Sequence, residues 1–292
     1  MDKPDEQQKP AVADTDGEQE AGSSTSRLDL LVDEHEEEVS ENGRTVRRQG
    51  IYLLPNLFTT AALFAGFYAV IAAMRGDFES APIAILFALV FDGLDGRIAR
   101  LTNTSSKFGA EYDSLSDMVA FGLAPSLVMY ELTLSGLGKL GWLAAFIYTA
   151  GAALRLARFN SRLDTADKRF FTGLPSPSAA AILAGFVWVM VDNEVPGGDV
   201  AWVALVLTAA AGLLMVSNIL YHSFKQIDFK GKVPFFAIVA VMLAFAVILS
   251  EPPMVLFGLF FAYTLSGPLL ALKRLYKKRQ AAPAQTGQDG GD

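Results

Sequence analysis

The sequence predicts an all-α fold, a polytopic membrane helical bundle with eight transmembrane helices, and three observations predict it. The chain of 292 residues is 52% hydrophobic with a mean hydropathy of +0.33, too apolar for an ordinary soluble domain. Its apolar residues gather into eight stretches, each at or near the ~20 residues that carry a helix across a bilayer. Lys and Arg collect at alternate ends of those stretches.

Residues 1–50 hold 14 of the 31 acidic and 6 of the 24 basic residues, which leaves the rest nearly balanced at 17 acidic and 18 basic. The net charge of −7 and the pI near 5.0 therefore belong to a tail and say nothing about partners of the body. Without a basic excess there, nucleic acid is not an expected partner. Residues 1–48 are rich in Asp, Glu, Gln, Ser and Gly, and cannot bury enough apolar surface to offset the entropy of ordering. They are expected to form a disordered acidic cytoplasmic tail, with an acidic partner-binding helix over 27–39 as the alternative. No basic residue followed by an apolar run opens the chain, so the first hydrophobic segment is expected to stay as a helix rather than be cleaved. The absence of cysteine excludes disulfides, thiolate metal sites and thiol nucleophiles.

The apolar stretches run over about residues 53–74, 81–100, 108–134, 142–159, 175–191, 200–221, 233–250 and 253–272. Open strands would leave backbone groups unpaired in hydrocarbon, so runs of this length read as helices. Arg44, Arg47 and Arg48 precede the first. Arg97, Arg100 and Lys107 lie at the end of the second and before the third, and Arg155, Arg158, Arg162, Lys168 and Arg169 at the end of the fourth and before the fifth. Lys225, Lys230 and Lys232 lie between the sixth and seventh, and Lys273, Arg274, Lys277, Lys278 and Arg279 follow the eighth. Only Arg75 and Lys139 fall opposite. Positive charge on the inner side then places both termini in the cytoplasm and the protein, multi-pass, in a cell (inner or cytoplasmic) membrane. The expected organisation is a transmembrane catalytic domain over 49–275, followed over 276–292 by a basic and then disordered tail whose cations meet anionic headgroups.

Residues 91–117 read FDGLDGRIARLTNTSSKFGAEYDSLSD and concentrate charge at helix ends. Charged groups beside membrane spans are costly and mark sites. Asp92 and Asp95 are spaced i, i+3 and Asp113 and Asp117 i, i+4, so each pair shares a helix face. An antiparallel hairpin through the polar turn 102–107 brings the four carboxylates together. Oxygen ligands without Cys or nearby His favour Mg²⁺ or Mn²⁺ over Zn²⁺, and a pair of divalent ions suits phosphoryl chemistry. Gly93, Gly96 and Gly109 leave room for a close approach, and Arg97 and Arg100 are placed to clamp phosphate oxygens. A structural ion network is the plainer reading, but four carboxylates against two arginines leave negative charge that it does not explain. A divalent cation transporter, a reading of another class, expects its carboxylates near mid-membrane rather than at helix ends.

The run Asp92-Gly-Leu-Asp95-Gly96-Arg-Ile-Ala99-Arg100, then eight residues, Gly109, three residues, Asp113, three residues and Asp117 resembles the complete signature of the CDP-alcohol phosphatidyltransferases. The resemblance implies that Asp92, Asp95 and Asp113 bind two metal ions, that Asp117 completes the site and acts as general base, and that Gly96, Arg100 and Ser106 contact the CDP group. Pro55-Asn56-Leu-Phe-Thr59 resembles the family's PNxxT element near the diphosphate, which adds Asn56 and Thr59, with Gly109, to the expected CDP-diacylglycerol contacts.

Further blocks over 54–60, 151–160, 171–177 and 215–225 are similar to the membrane-embedded branch whose acceptor is L-serine. They imply attack of the serine hydroxyl on CDP-diacylglycerol with release of CMP, in a homodimer among membrane lipids. Arg155 and Arg158, spaced i, i+3, are candidates to hold the serine carboxylate. Asn160, Ser217 and Asn218 offer neutral hydrogen bonds, while His222 and His35 are expected to be loop and tail residues. The alternative acceptors are glycerol 3-phosphate or an inositol phosphate, and an ether-lipid donor is a further alternative.

Overall fold

A computed structural model of the chain describes residues 39–41, 44–46, 53–101, 107–161, 170–222, 242–243 and 246–281. The chain divides into two units, Met1–Gln49 and Gly50–Asp292.

In the first unit, β1 (Val39–Glu41) and β2 (Arg44–Val46) form an antiparallel pair with Val39 opposite Val46 and Glu41 opposite Arg44. This pair interrupts the tail expected to lack structure. Valine and threonine favour strands, and they stand here at Val39, opposite Val46, and at Thr45. The rest of that tail, including the alternative helix over 27–39 up to residue 38 and His35, lies outside the described residues.

The second unit is helical. Among the described residues its helices include α1 (Leu53–Met74), α2 (Ser80–Leu101), α3 (Lys107–Asp117), α4 (Ala124–Leu132), α5 (Lys139–Ser161), α6 (Ser176–Asp192), α7 (Ala201–Val216) and α8 (Pro252–Ala281). A π-helical segment, Met118–Leu123, joins α3 to α4. α1 and α2 pack through small residues, with Ala62, Ala65, Ala69, Ala72 and Ala73 buried against Ala81, Ala84, Ile85 and Ala88. Small side chains let membrane helices approach closely enough for van der Waals contact to hold them. Asp77 accepts the Ser80 backbone N–H at 3.0 Å and so caps α2. α6 supplies the centre of the bundle, with Ala179, Ala180, Ile182, Leu183 and Val187 buried, whereas Phe64, Phe67, Trp142, Phe146, Trp202 and Leu259 point outward. An apolar exterior of this kind suits a lipid surround.

Among the described residues, four helical runs are long and apolar enough to cross a membrane: Pro55–Met74, Phe108–Leu132, Lys139–Ser161 and Pro252–Arg274. This is fewer than the eight expected, for three separate reasons. α6 and α7 are apolar but only 17 and 16 residues long. α2 carries Asp92, Asp95, Arg97 and Arg100 in its last three turns. The stretch 233–250 lies largely outside the described residues. α8 also runs on to Ala281, so no break in the backbone marks the boundary expected at 275.

The connections into α6 and out of α7 meet as β3 (Phe170–Thr172) and β4 (Leu220–His222), an antiparallel pair with Phe171 opposite Tyr221. Gly173 follows with φ +83°, its N–H on the Ile219 carbonyl at 2.8 Å, and a Cβ there would overlap the Met215 carbonyl. Backbone freedom and the missing side chain are both required at this position.

Candidate active site

The last three turns of α2 present Asp92 and Asp95, and α3 presents Asp113 and Asp117. Asp92, Asp95 and Asp113 each offer a carboxylate oxygen such that all three lie within 4.8 Å of one another. The juxtaposition predicted from two helix faces is therefore present for these three. Asp117 sits one turn further along α3, within hydrogen-bonding reach of Asp92 and close enough to Asp113 and Arg155 to feel their charge.

The cluster is braced from α1. Thr59 is buried and donates its hydroxyl to Asp95 Oδ2 at 2.7 Å, while Asp95 itself is only 6% exposed. Ser116 in turn donates to the Thr59 carbonyl at 3.0 Å, and Thr60 meets Tyr112 Oη at 2.9 Å. One turn of α1 thus fixes both ligand-bearing helices. Thr59, expected at the diphosphate, here orients a carboxylate. Asn56 is half-buried and its carbonyl accepts from Thr60 at 2.7 Å.

α5 closes another side. Arg155 donates to Ser176 Oγ at 2.6 Å at the first turn of α6, and its charge lies near Asp117, Asp92 and Tyr263 of α8. Asn160 donates to Ser114 Oγ at 3.0 Å, beside Asp113, and Arg158 reaches Asn218 Oδ1 at 3.4 Å. Ser217 donates to the Leu214 carbonyl at 2.8 Å and serves the end of α7. The three residues expected at serine are thus not gathered at one point: Arg155 faces the carboxylates, Arg158 faces the end of α7, and Asn160 braces α3.

Arg100 is exposed and donates Nε to the Gly96 carbonyl at 2.7 Å. A Cβ at Gly93 or Gly96 would meet no atom of the described residues within 4 Å, so among those residues this side of α2 is open. Gly109 lies on the first turns of α3. Ser106 and the rest of the 102–106 turn lie outside the described residues. His222 belongs to β4 rather than to a loop.

Thr59 toward Asp95, Ser114, Ser116, Ser176 and Tyr263 were not assigned these roles from the sequence. Two of them carried a signal: Ser114 and Ser116 alternate with ligands in Asp113-Ser-Leu-Ser-Asp117, where small hydroxyls suit close packing around carboxylates.

Three mutually close carboxylates without His or Cys in the cluster form an all-oxygen donor set, which fits a hard divalent cation such as Mg²⁺ or Mn²⁺. A bundle of apolar helices with an oxygen-ligand cluster at helix ends defines a membrane protein built around a divalent-metal site. The chain belongs to the CDP-alcohol phosphatidyltransferase family, whose model matches residues 52–214, more than half its length. It is 37% identical over 235 residues to the CDP-diacylglycerol–serine O-phosphatidyltransferase of Helicobacter pylori, covering 80% of this chain and 98% of that protein. It is also similar to proteins of the same name from Mycobacterium leprae, 33% identical over 60% of each chain, and Saccharomyces cerevisiae, 34% identical over 46% of this chain and 55% of that one. Metal-assisted transfer of a phosphatidyl group is the chemistry of the family.

Proposed function

We propose that the protein is a phosphatidylserine synthase, transferring the phosphatidyl group of CDP-diacylglycerol to the hydroxyl of L-serine and releasing CMP. The single observation that carries this reading is the convergence of Asp92, Asp95 and Asp113 at the ends of apolar helices, in a chain aligned over nearly the whole length of a serine-using relative.

Asp92, Asp95, Asp113 and Asp117 would hold two Mg²⁺ or Mn²⁺ ions, which when bound supply positive charge to the diphosphate oxygens. Thr59 keeps Asp95 in a fixed rotamer as the site fills. Gly96, Arg100, Ser106, Gly109 and Asn56 form the cytidine and diphosphate side, where the open ground before Gly96 admits a bulky group. The serine oxygen forms a bond to the lipid-linked phosphorus as the bond from that phosphorus to the CMP oxygen breaks. Asp117 accepts the serine hydroxyl proton. Arg155, which faces the aspartates, holds the serine carboxylate, while Arg158 and Asn160, also expected at serine, would have to leave Asn218 and Ser114 to join it. The diacyl tails stay in the bilayer while serine and CMP exchange with the cytosol, which accounts for a site at helix ends.

The same reading has eight membrane crossings in a cell (inner or cytoplasmic) membrane, both termini and the active site cytoplasmic, and a homodimer. It has a catalytic domain over 49–275 between an acidic tail over 1–48 and a basic tail over 276–292. Charge alternation along the sequence supports the topology. The test is CMP release by purified protein with CDP-diacylglycerol and a panel of alcohols. Release with L-serine and not with glycerol 3-phosphate or an inositol phosphate is expected. Release with glycerol 3-phosphate alone would refute the acceptor while leaving the family chemistry standing.

A further inference from the structure

α3 and α4 form one continuous line, yet the segment between them, Met118–Leu123, is π-helical and starts at the residue after Asp117. Its wider turn is seen directly in the Ala124 N–H bonded to the Val119 carbonyl, five residues back. A π turn inserts one extra residue into a helix, is rarely stable by itself, and tends to occur beside functional sites. It also leaves carbonyls without their α-helical partners.

Here α5 and α4 supply hydroxyls to those carbonyls. Tyr148 is fully buried and donates to the Phe121 carbonyl at 2.9 Å. Ser126 donates to the Leu123 carbonyl at 2.8 Å and shares a 2.8 Å bond with Thr149, whose Oγ1 also lies 3.5 Å from the Gly122 carbonyl. Two hydroxyl protons cannot serve every acceptor around Ser126 and Thr149 at once, so Tyr148, with one acceptor, is the unambiguous support. The segment is also enclosed sterically. A Cβ at Gly66 of α1 would stand 2.6 Å from Ala120 Cα, and one at Gly122 would stand 3.1 Å from Ala152 Cβ of α5.

The geometric consequence falls on the aspartates. α4 is fixed in the core through Val128 and Met129. Each residue turns an α-helix by about 100°, so reverting the π segment to α geometry would swing α3, with Asp113 and Asp117, by about that angle about the helix axis. Tyr148, Ala152 and Arg155 lie along one stripe of α5, and Arg155 at the end of that stripe is the residue close to Asp117. The same helix face therefore supports the π turn and meets the carboxylate that the turn aims.

We infer that Tyr148 is a positioning residue that holds the Met118–Leu123 π segment through the Phe121 carbonyl, and thereby sets the angle at which Asp113 and Asp117 face the metal and the acceptor. This rests on the metal-ligand and base roles proposed above for these aspartates. Tyr148→Phe removes one hydroxyl and keeps the ring. In purified protein, Mn²⁺ binding followed by electron paramagnetic resonance is expected to weaken about tenfold, with kcat reduced at saturating metal by about tenfold or more and KM for CDP-diacylglycerol within twofold of wild type. Mn²⁺ binding is read without turnover, so a wrong acceptor for the enzyme would leave this measurement intact. Wild-type Mn²⁺ affinity and kcat in Tyr148→Phe would overturn the inference. So would a fall in the number of binding sites at unchanged affinity, which would mark partial unfolding. If Tyr148→Phe does not yield folded protein, Thr149→Val replaces it: about threefold weaker Mn²⁺ binding, restored by Thr149→Ser, supports the inference, and wild-type binding in Thr149→Val overturns it.

Discussion

Thr59→Val isolates the bond between α1 and the metal-facing carboxylates. The hydroxyl of Thr59 lies 2.7 Å from Asp95 Oδ2 and both groups are buried, so water cannot replace it. Valine keeps the branched shape, and the Ser116 bond to the residue 59 carbonyl needs no side chain there. A hydrogen bond to a charged group contributes about 2 kcal/mol, which corresponds to roughly 30-fold in an equilibrium constant. If Thr59 acts by orienting Asp95, that loss appears in metal affinity, within the 10–100-fold range typical of residues behind metal ligands. The assay is Mn²⁺ titration by paramagnetic resonance, paired with CMP release as a function of Mg²⁺ concentration. Thr59→Val is expected to need about 30-fold more metal for half-saturation, and Thr59→Ser about as much as wild type. The reasoning is refuted if Thr59→Val binds Mn²⁺ within threefold of wild type. A rise in KM for CDP-diacylglycerol alone would instead put Thr59 on the donor.

Asp117→Asn removes the proposed base while keeping its shape, and is expected to lower kcat about 10³-fold, as loss of general-base catalysis does. Equilibrium Mn²⁺ binding should fall less than in Asp92→Asn, and unchanged CMP release would remove Asp117 from the proton transfer. Gly66→Ala sets a methyl 2.6 Å from Ala120 Cα, a backbone atom that cannot step aside. Overpacking of this kind costs about 1–3 kcal/mol, to be seen as a lower unfolding temperature in detergent, and an unchanged temperature would show that α1 shifts freely. At the other end of α2, the Ser80 backbone N–H holds the Asp77 carboxyl below its usual value of 3.8, helped by the Ser80 side chain. A depressed value means that the stabilisation is present above pH 3.8 and is lost as pH falls through the folded value. Asp77→Ala should therefore lower stability at neutral pH and not in strong acid, leaving CMP release unaltered; equal effects at both pH values would show that the ionised cap is not the cause.

The aspartates were legible because their signal is local and physically extreme: carboxylates spaced to share helix faces within otherwise apolar runs. Their convergence followed from a hairpin of two helices and needed no long-range information. Thr59 was legible as a residue of interest but its bond to Asp95 was not, since which face of α1 meets α2 is decided by the alanine stripe from Ala62 to Ala73 packing on its partner. The π segment had no such signal. Met118, Val119, Ala120, Phe121, Gly122 and Leu123 are ordinary residues for a membrane helix, and the hydroxyl that meets the Phe121 carbonyl comes from Tyr148, 27 residues further along the chain. The strand pair β3–β4 was hidden for a related reason. Its three-residue strands are too short for a periodicity, and β3 before α6 meets β4 after α7, a pairing of segments about fifty residues apart.

α2 shows how the chemistry itself obscures a fold reading. Its 22 residues rise about 33 Å, the length of a crossing helix, yet composition removes it from the apolar set because Asp92, Asp95, Arg97 and Arg100 occupy its last ten positions. Several of those charged groups have neighbours that hydropathy does not see. Asp95 is enclosed by Thr59, Arg100 turns back onto the Gly96 carbonyl, and Asp92 lies among Asp117, Asp113 and Arg155. From Ser80 to Asp92 the helix rises about 18 Å, so the first carboxylate comes well before its C-terminal end. The polar residues that make α2 a poor span by composition are therefore the ones that supply two of the three carboxylates of the cluster.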